Sequence, residues 1–112
     1  MEFNASGFHE KLLWLLRLRR RYRVTGASML PALLKGDVVL VDPRAYRHHF
    51  PQPGDIVVAR HPDPHQPKII KRVSGVTADG RCHLRGDNPA HTTDFENVPL
   101  SQIIGRVTSR FS

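Results

Sequence analysis

The sequence predicts a mainly β domain carrying one short N-terminal helix, on three observations. Short apolar runs rich in β-branched residues recur from Asp37 onward, among them Asp37-Val38-Val39-Leu40-Val41 and Asp55-Ile56-Val57-Val58-Ala59. Gly-Asp and Pro signals bound these runs, which is the punctuation of strands. Helical spacing is confined to Lys11–Leu18, where Leu12, Leu15 and Leu16 fall at i, i+3 and i+4.

Taken in order, the first element is that helix, its apolar stripe widened by Leu13 and Trp14. Its apolar run is far below the ~20 residues that cross a bilayer. Its arginines follow the apolar stretch, opposite to a secretory signal. Two readings stay open: a helix packed on the body, or an interfacial helix that touches anionic lipid through Trp14 and the arginines. Residues 1–23 are therefore expected to form a basic amphipathic helical segment, and 24–112 the remaining domain. Strands are expected at Asp37–Val41, Asp55–Ala59, Lys68–Val76, Arg81–Arg85 and Ile103–Val107. Thr77-Ala78-Asp79-Gly80 reads as a hairpin turn whose Asp-Gly pair favours a two-residue loop. Pro62-Asp63-Pro64-His65-Gln66-Pro67 reads as a proline-stiffened connection between two strands.

A length of 112 residues supports one domain with a single modest core. The formal charge of +7 is uneven: residues 1–23 hold six Lys/Arg against two Asp/Glu, and the rest eleven against eight. The excess lies in Arg17, Arg19, Arg20, Arg21 and Arg23. Such a run suits an anionic surface. No nucleic-acid motif accompanies it and few aromatics could stack on bases, so nucleic acid is not expected as a partner. The single cysteine, Cys82, excludes an internal disulfide and reads as a strand residue. The expectation is a cytoplasmic protein, peripheral to a membrane if the helix is interfacial.

The chemistry centres on Ser28 in Thr25-Gly26-Ala27-Ser28-Met29-Leu30-Pro31 and Lys71 in Ile69-Ile70-Lys71-Arg72-Val73. A serine hydroxyl is a poor nucleophile until a base takes its proton, and a charged lysine cannot serve. Apolar surroundings disfavour the ammonium and create a usable amine. Ser–Lys pairs are a recognised variant of the serine triad logic. Each residue also has a plainer reading: Ser28 as a cap on a turn at Leu30–Leu34, and Lys71 as a surface lysine on a half-buried strand. Alternation along the strand leaves the direction of Lys71 open.

Four ordered stretches, Gly26–Pro31 with Gly36-Asp37, Pro53–Val58, Lys71-Arg72-Val73 and Gly86-Asp87-Asn88, resemble the boxes of the type I signal peptidase superfamily, which includes LexA-like self-cleaving repressors. Within it the chain most resembles the short proteases that mature nickel-type superoxide dismutase. The resemblance implies a coiled, partly closed β-sheet, a Ser28 nucleophile and a Lys71 general base that needs no cofactor. It implies an oxyanion donor in the Ser28 backbone N–H, supported by Gly26, whose position holds a hydroxyl in some members. Gly26 is also expected to permit a special backbone shape and to leave room for substrate. Met29 and Pro31 are expected to fix the turn and contact substrate, with Met29 beneath it. Thr92 matches a hydroxyl that aims the lysine amine. Gly86, Asp87 and Asn88 form a supporting turn. Asp94 matches an acid whose arginine partner position is here Glu96, so Arg72 or Arg85 must replace it.

The implied partner is a protein precursor, probed first as the nickel superoxide dismutase leader; the nickel would belong to that substrate. Seven histidines invite a metal reading, but His61 and His65 sit in a proline-rich loop and no ligand set is complete. No metal is assigned. A self-cleaving repressor is disfavoured because the 27 residues before Ser28 hold no helix-turn-helix pair and no Ala-Gly or Cys-Gly bond. A catalytically silent binding module on the same sheet is the competing function of a different class.

Overall fold

The computed structural model describes residues 18–111. The expected helix over Lys11–Leu18 lies, apart from Leu18, outside them. Seven strands form one antiparallel sheet: β1 (Arg20–Arg23), β2 (Val38–Asp42), β3 (Ile56–Ala59), β4 (Ile69–Val76), β5 (Cys82–Arg85), β6 (Phe95–Val98) and β7 (Ile103–Phe111), in the order β1-β2-β7-β3-β4-β5-β6. This is the mainly β fold of the sequence reading. Among the described residues no helix is long and apolar enough to cross a membrane.

Two strands escaped the sequence reading. The arginine-rich Arg20–Arg23 is a strand, so the helical segment does not run to residue 23. It pairs with β2, Arg20 opposite Val41 and Arg23 opposite Val38, because β2 offers a free edge and mostly exposed arginines suit an outer strand. Phe95–Val98 pairs with β5 at the opposite edge. Strand alternation explains the core. Ile56 and Val58 of β3 join Val24, Met29, Leu33, Val39 and Val41, while Val57 and Ala59 join Val73, Cys82, Leu84 and Val98. Successive side chains point to opposite faces, so both faces of the central strands are covered. Register shifts at Leu40/Val41, Val58/Ala59, Val73/Gly75 and Cys82/Leu84 bend the sheet between its two open edges.

The β4–β5 connection differs from the expected two-residue loop. Thr77 N–H donates to Arg81 O and Gly80 N–H donates to Thr77 O, leaving Ala78, Asp79 and Gly80 as the loop. Gly80 has φ +87°, the left-handed residue that ends a three-residue hairpin.

Candidate active site

Ser28 follows β1 in a tight turn, where Leu33 N–H donates to Met29 O at 2.9 Å. Met29 anchors that turn. Only 1% exposed, it is packed in the first core and does not face the cleft. Sequence reasoning placed Met29 under the substrate; burying its long apolar side chain behind the turn holds Ser28 at the surface instead. Pro31 is exposed and also lies outside the cleft wall.

Lys71 is the third residue of β4, opposite Val57 of β3. Alternation puts it on the face of Ile69 and Val73, and it is 6% exposed. Burial pushes its amine below the ordinary lysine value, and the nearby Asp94 carboxylate pulls the other way. Burial is the larger effect. Its Nζ donates to Thr92 Oγ1 at 3.1 Å. Thr92 Oγ1 also accepts from the Gly86 N–H at 3.0 Å, and the Thr92 hydroxyl faces Thr93 O at 3.5 Å. Thr92 is thus fixed from the backbone side and holds the amine.

Ser28 and Lys71 line one open cleft of about 200 Å³, together with Arg23, Val24, Thr25 and Gly26 on one wall and Pro67 to Ile70 on the other. The amine's hydrogen bond goes to Thr92 and not to Ser28. Among the described residues nothing accepts from the Ser28 N–H. Gly26 departs from its expected conformational role: its φ is not positive, and a Cβ there would meet nothing within 4 Å. What it supplies is an unobstructed cleft wall.

Gly86-Asp87-Asn88 clamps the serine turn. Asn88 N–H donates to Ser28 O at 2.8 Å and Asn88 Nδ2 to Ala27 O at 3.0 Å. The Asn88 Oδ1 accepts from Ala90 N–H, capping the short 3₁₀ turn Pro89–His91 that leads to Thr92. Gly86 must be glycine, because a Cβ would lie 2.1 Å from Thr92 Oγ1 and 2.6 Å from Ser28 O. Asp87 accepts a forked pair from Arg72 Nε and Nη2 at 2.9 and 2.8 Å, and Arg72 Nη1 also donates to Gly54 O. That fork raises the Arg72 guanidinium further above its usual value. The sequence left Arg72 or Arg85 open as the partner of Asp94; the structure takes Arg85, at 3.4 Å, while Glu96 pairs with His83.

In the proline-rich loop His61 Nδ1 accepts from Asp63 N–H, and the His65 backbone N–H donates to Asp63 Oδ1. Among the described residues no three His, Cys, Asp or Glu side chains converge on a metal position. The residues missed from sequence are the cleft walls, Arg23, Val24 and Pro67–Ile70. Their signal was adjacency to the serine and lysine boxes.

Residues 11–89 match the signal peptidase family, peptidase S26. The chain is 34% identical to subunit 2 of the mitochondrial inner membrane protease of Danio rerio, over 82% of this chain and 63% of that protein. It is also 34% identical to subunit 1 from Xenopus tropicalis, over 77% and 65%. To signal peptidase I of Buchnera aphidicola it is 34% identical over 52% of this chain and 22% of that protein. The chain spans a little under two thirds of the length of the first two relatives. With a match over most of its length, and with the serine and lysine boxes on one cleft, the chain belongs to the signal peptidase family, peptidase S26.

Proposed function

We propose that the chain is a Ser–Lys endopeptidase that removes an N-terminal leader from a protein precursor. The observation that carries this is a buried lysine, depressed by desolvation and held by Thr92, on the same cleft as Ser28. A neutral amine has two N–H bonds and one lone pair. Donating one N–H to Thr92 limits its rotation and leaves the lone pair for the Ser28 hydroxyl. Lys71 takes the Ser28 proton as Oγ bonds to the scissile carbonyl carbon. The Ser28 N–H, without an acceptor among the described residues, is available to the oxyanion. As the intermediate collapses, the C–N bond breaks and Lys71 returns the proton to the leaving amine. Water deprotonated by Lys71 then attacks the ester, and the proton goes back to Ser28 Oγ.

The substrate binds as an extended strand between the Arg23–Gly26 and Pro67–Ile70 walls. The names of the relatives speak for a protease and a signal peptidase, and none names a dismutase. The narrower reading, maturation of a nickel superoxide dismutase precursor, rests on the resemblance in motif spacing. The test is to mix that precursor with wild type, Ser28→Ala and Lys71→Ala and follow intact mass. Leader loss that exposes an N-terminal histidine, with wild type only, supports both readings. Processing of a different leader peptide, but not this one, overturns the dismutase assignment and leaves the endopeptidase.

A further inference from the structure

We propose that Arg19, Arg20, Arg44 and Arg47 form a binding site for a phosphate group, presented by an anionic lipid headgroup or free in solution. In the sequence two of these arginines stand in the N-terminal basic run and two lie far downstream. The fold joins them: Arg20 pairs opposite Val41, which sets Arg19 and Arg20 beside the turn that follows β2. All four line one open, polar cavity of about 410 Å³, together with Leu18 and Pro43.

The surroundings are built to hold these side chains. Asp42 Oδ1 accepts from the Arg44 N–H at 2.9 Å and stands 3.7 Å from Arg19 Nη1. Arg47 N–H donates to Arg44 O at 3.3 Å, which folds the turn so that both guanidinium groups serve the cavity. Asp42 is the only acid paired with the set among the described residues, and it pairs with the Arg19 guanidinium alone. Like charges at this density repel, and a bound anion removes that cost. The guanidinium fork matches phosphate oxygens in pairs, with more geometric selectivity than an ammonium. Among the described residues no aromatic ring lines the cavity to stack a base, which favours an isolated phosphate group over a nucleic acid strand. The site lies at the N-terminal end of β1, and the peptidase cleft begins at Arg23 at its other end. A headgroup held there would seat the cleft a few residues from the lipid surface.

The experiment uses the full chain in two arms. One measures binding to phosphatidylcholine vesicles with and without phosphatidylglycerol; the other measures the shift in unfolding temperature with inorganic phosphate against chloride at equal ionic strength. Arg44→Gln/Arg47→Gln is compared with Arg60→Gln/Arg81→Gln, which removes the same charge at sites distant in the sheet order. At about 1 kcal/mol per arginine near a lipid surface, the site variant is expected to bind anionic vesicles roughly 30-fold more weakly. The control is expected to change by less than about threefold, since neither Arg60 nor Arg81 lines the cavity. Vesicle binding without a phosphate shift makes the headgroup the source; a phosphate shift without vesicle binding makes it a free-anion site. Equal weakening by the two double variants, or wild type binding neither probe, overturns the proposal. So does wild type binding an oligonucleotide but neither vesicles nor phosphate.

Discussion

Gly86→Ala asks whether the serine and lysine sides of the cleft are locked together by a backbone contact. The added Cβ would sit 2.1 Å from Thr92 Oγ1, and 2.6 Å from both Thr92 Cβ and Ser28 O. To reach an ordinary contact Thr92 Oγ1 must retreat by about 1.3 Å, the difference between 2.1 and 3.4 Å. Its hydrogen bonds to Lys71 Nζ and Gly86 N–H, at 3.1 and 3.0 Å, cannot survive that retreat. Overpacking costs about 1–3 kcal/mol and each lost hydrogen bond about 1 kcal/mol. The stiffer unfolded chain of alanine returns only ~0.4–1 kcal/mol. The net expectation is a loss of about 2–4 kcal/mol in urea unfolding. A displacement of this size in a reacting constellation also lowers the rate about 100-fold, read as acylation of Ser28 by a signal-peptidase-type inhibitor. Gly26→Ala is the control: its Cβ meets nothing within 4 Å, so its stability should stay within about 0.5 kcal/mol of wild type. A Gly86→Ala protein with wild-type unfolding and acylation would refute the reasoning. Equal damage from Gly26→Ala would do the same.

Three further outcomes follow from the same geometry. Thr92→Val removes the shared acceptor and should lower kcat at least about tenfold with little change in KM, whereas Thr92→Ser, keeping the hydroxyl, recovers most of it. Lys71 carries a depressed pKa in the folded state, so the unfolded chain binds more protons and stability rises with pH. The penalty is full below the folded pKa and fades toward the ordinary lysine value of ~10.4. Lys71→Met should therefore be more stable than wild type at neutral pH in urea titrations, the gap closing as pH climbs toward that value; a pH-independent gap would remove burial of the ammonium as its cause. Activity should rise with pH as the amine loses its proton, and Asp94→Asn, which removes the opposing carboxylate, should move that limb to lower pH in a pH–rate profile. An unmoved limb would separate Asp94 from the base.

The sheet was legible where strands are apolar runs, as at β2 and β3, because burial on both faces demands such runs. β1 was not, since its four residues are Arg20-Arg21-Tyr22-Arg23 and only pairing with β2 makes them a strand. β6 hid for a similar reason: Phe95-Glu96-Asn97-Val98 includes Asn97 at a φ of 53° and packs by its ends. In the site, Ser28, Lys71 and Thr92 could be named from ordered boxes. Their implied roles came with the family resemblance, but the burial of Lys71 and the contacts at Gly86 did not. Lys71 is identified as buried only by its register opposite Val57, and Gly86 by a carbonyl and a hydroxyl that approach from distant segments. Met29 shows the opposite error: it stands beside the proposed nucleophile Ser28 but belongs to the core. The four-arginine cavity is a tertiary product, invisible until β1 pairs with β2.

The most direct test of the Ser28–Lys71 account is to treat folded wild type, Ser28→Ala and Lys71→Ala with an acylating signal-peptidase-type inhibitor across a pH series. The adduct is then mapped by peptide mass spectrometry. The account predicts one adduct, on Ser28, forming faster as pH rises and absent from both variants. An adduct on another residue, or labelling of Lys71→Ala at the wild-type rate, would contradict it.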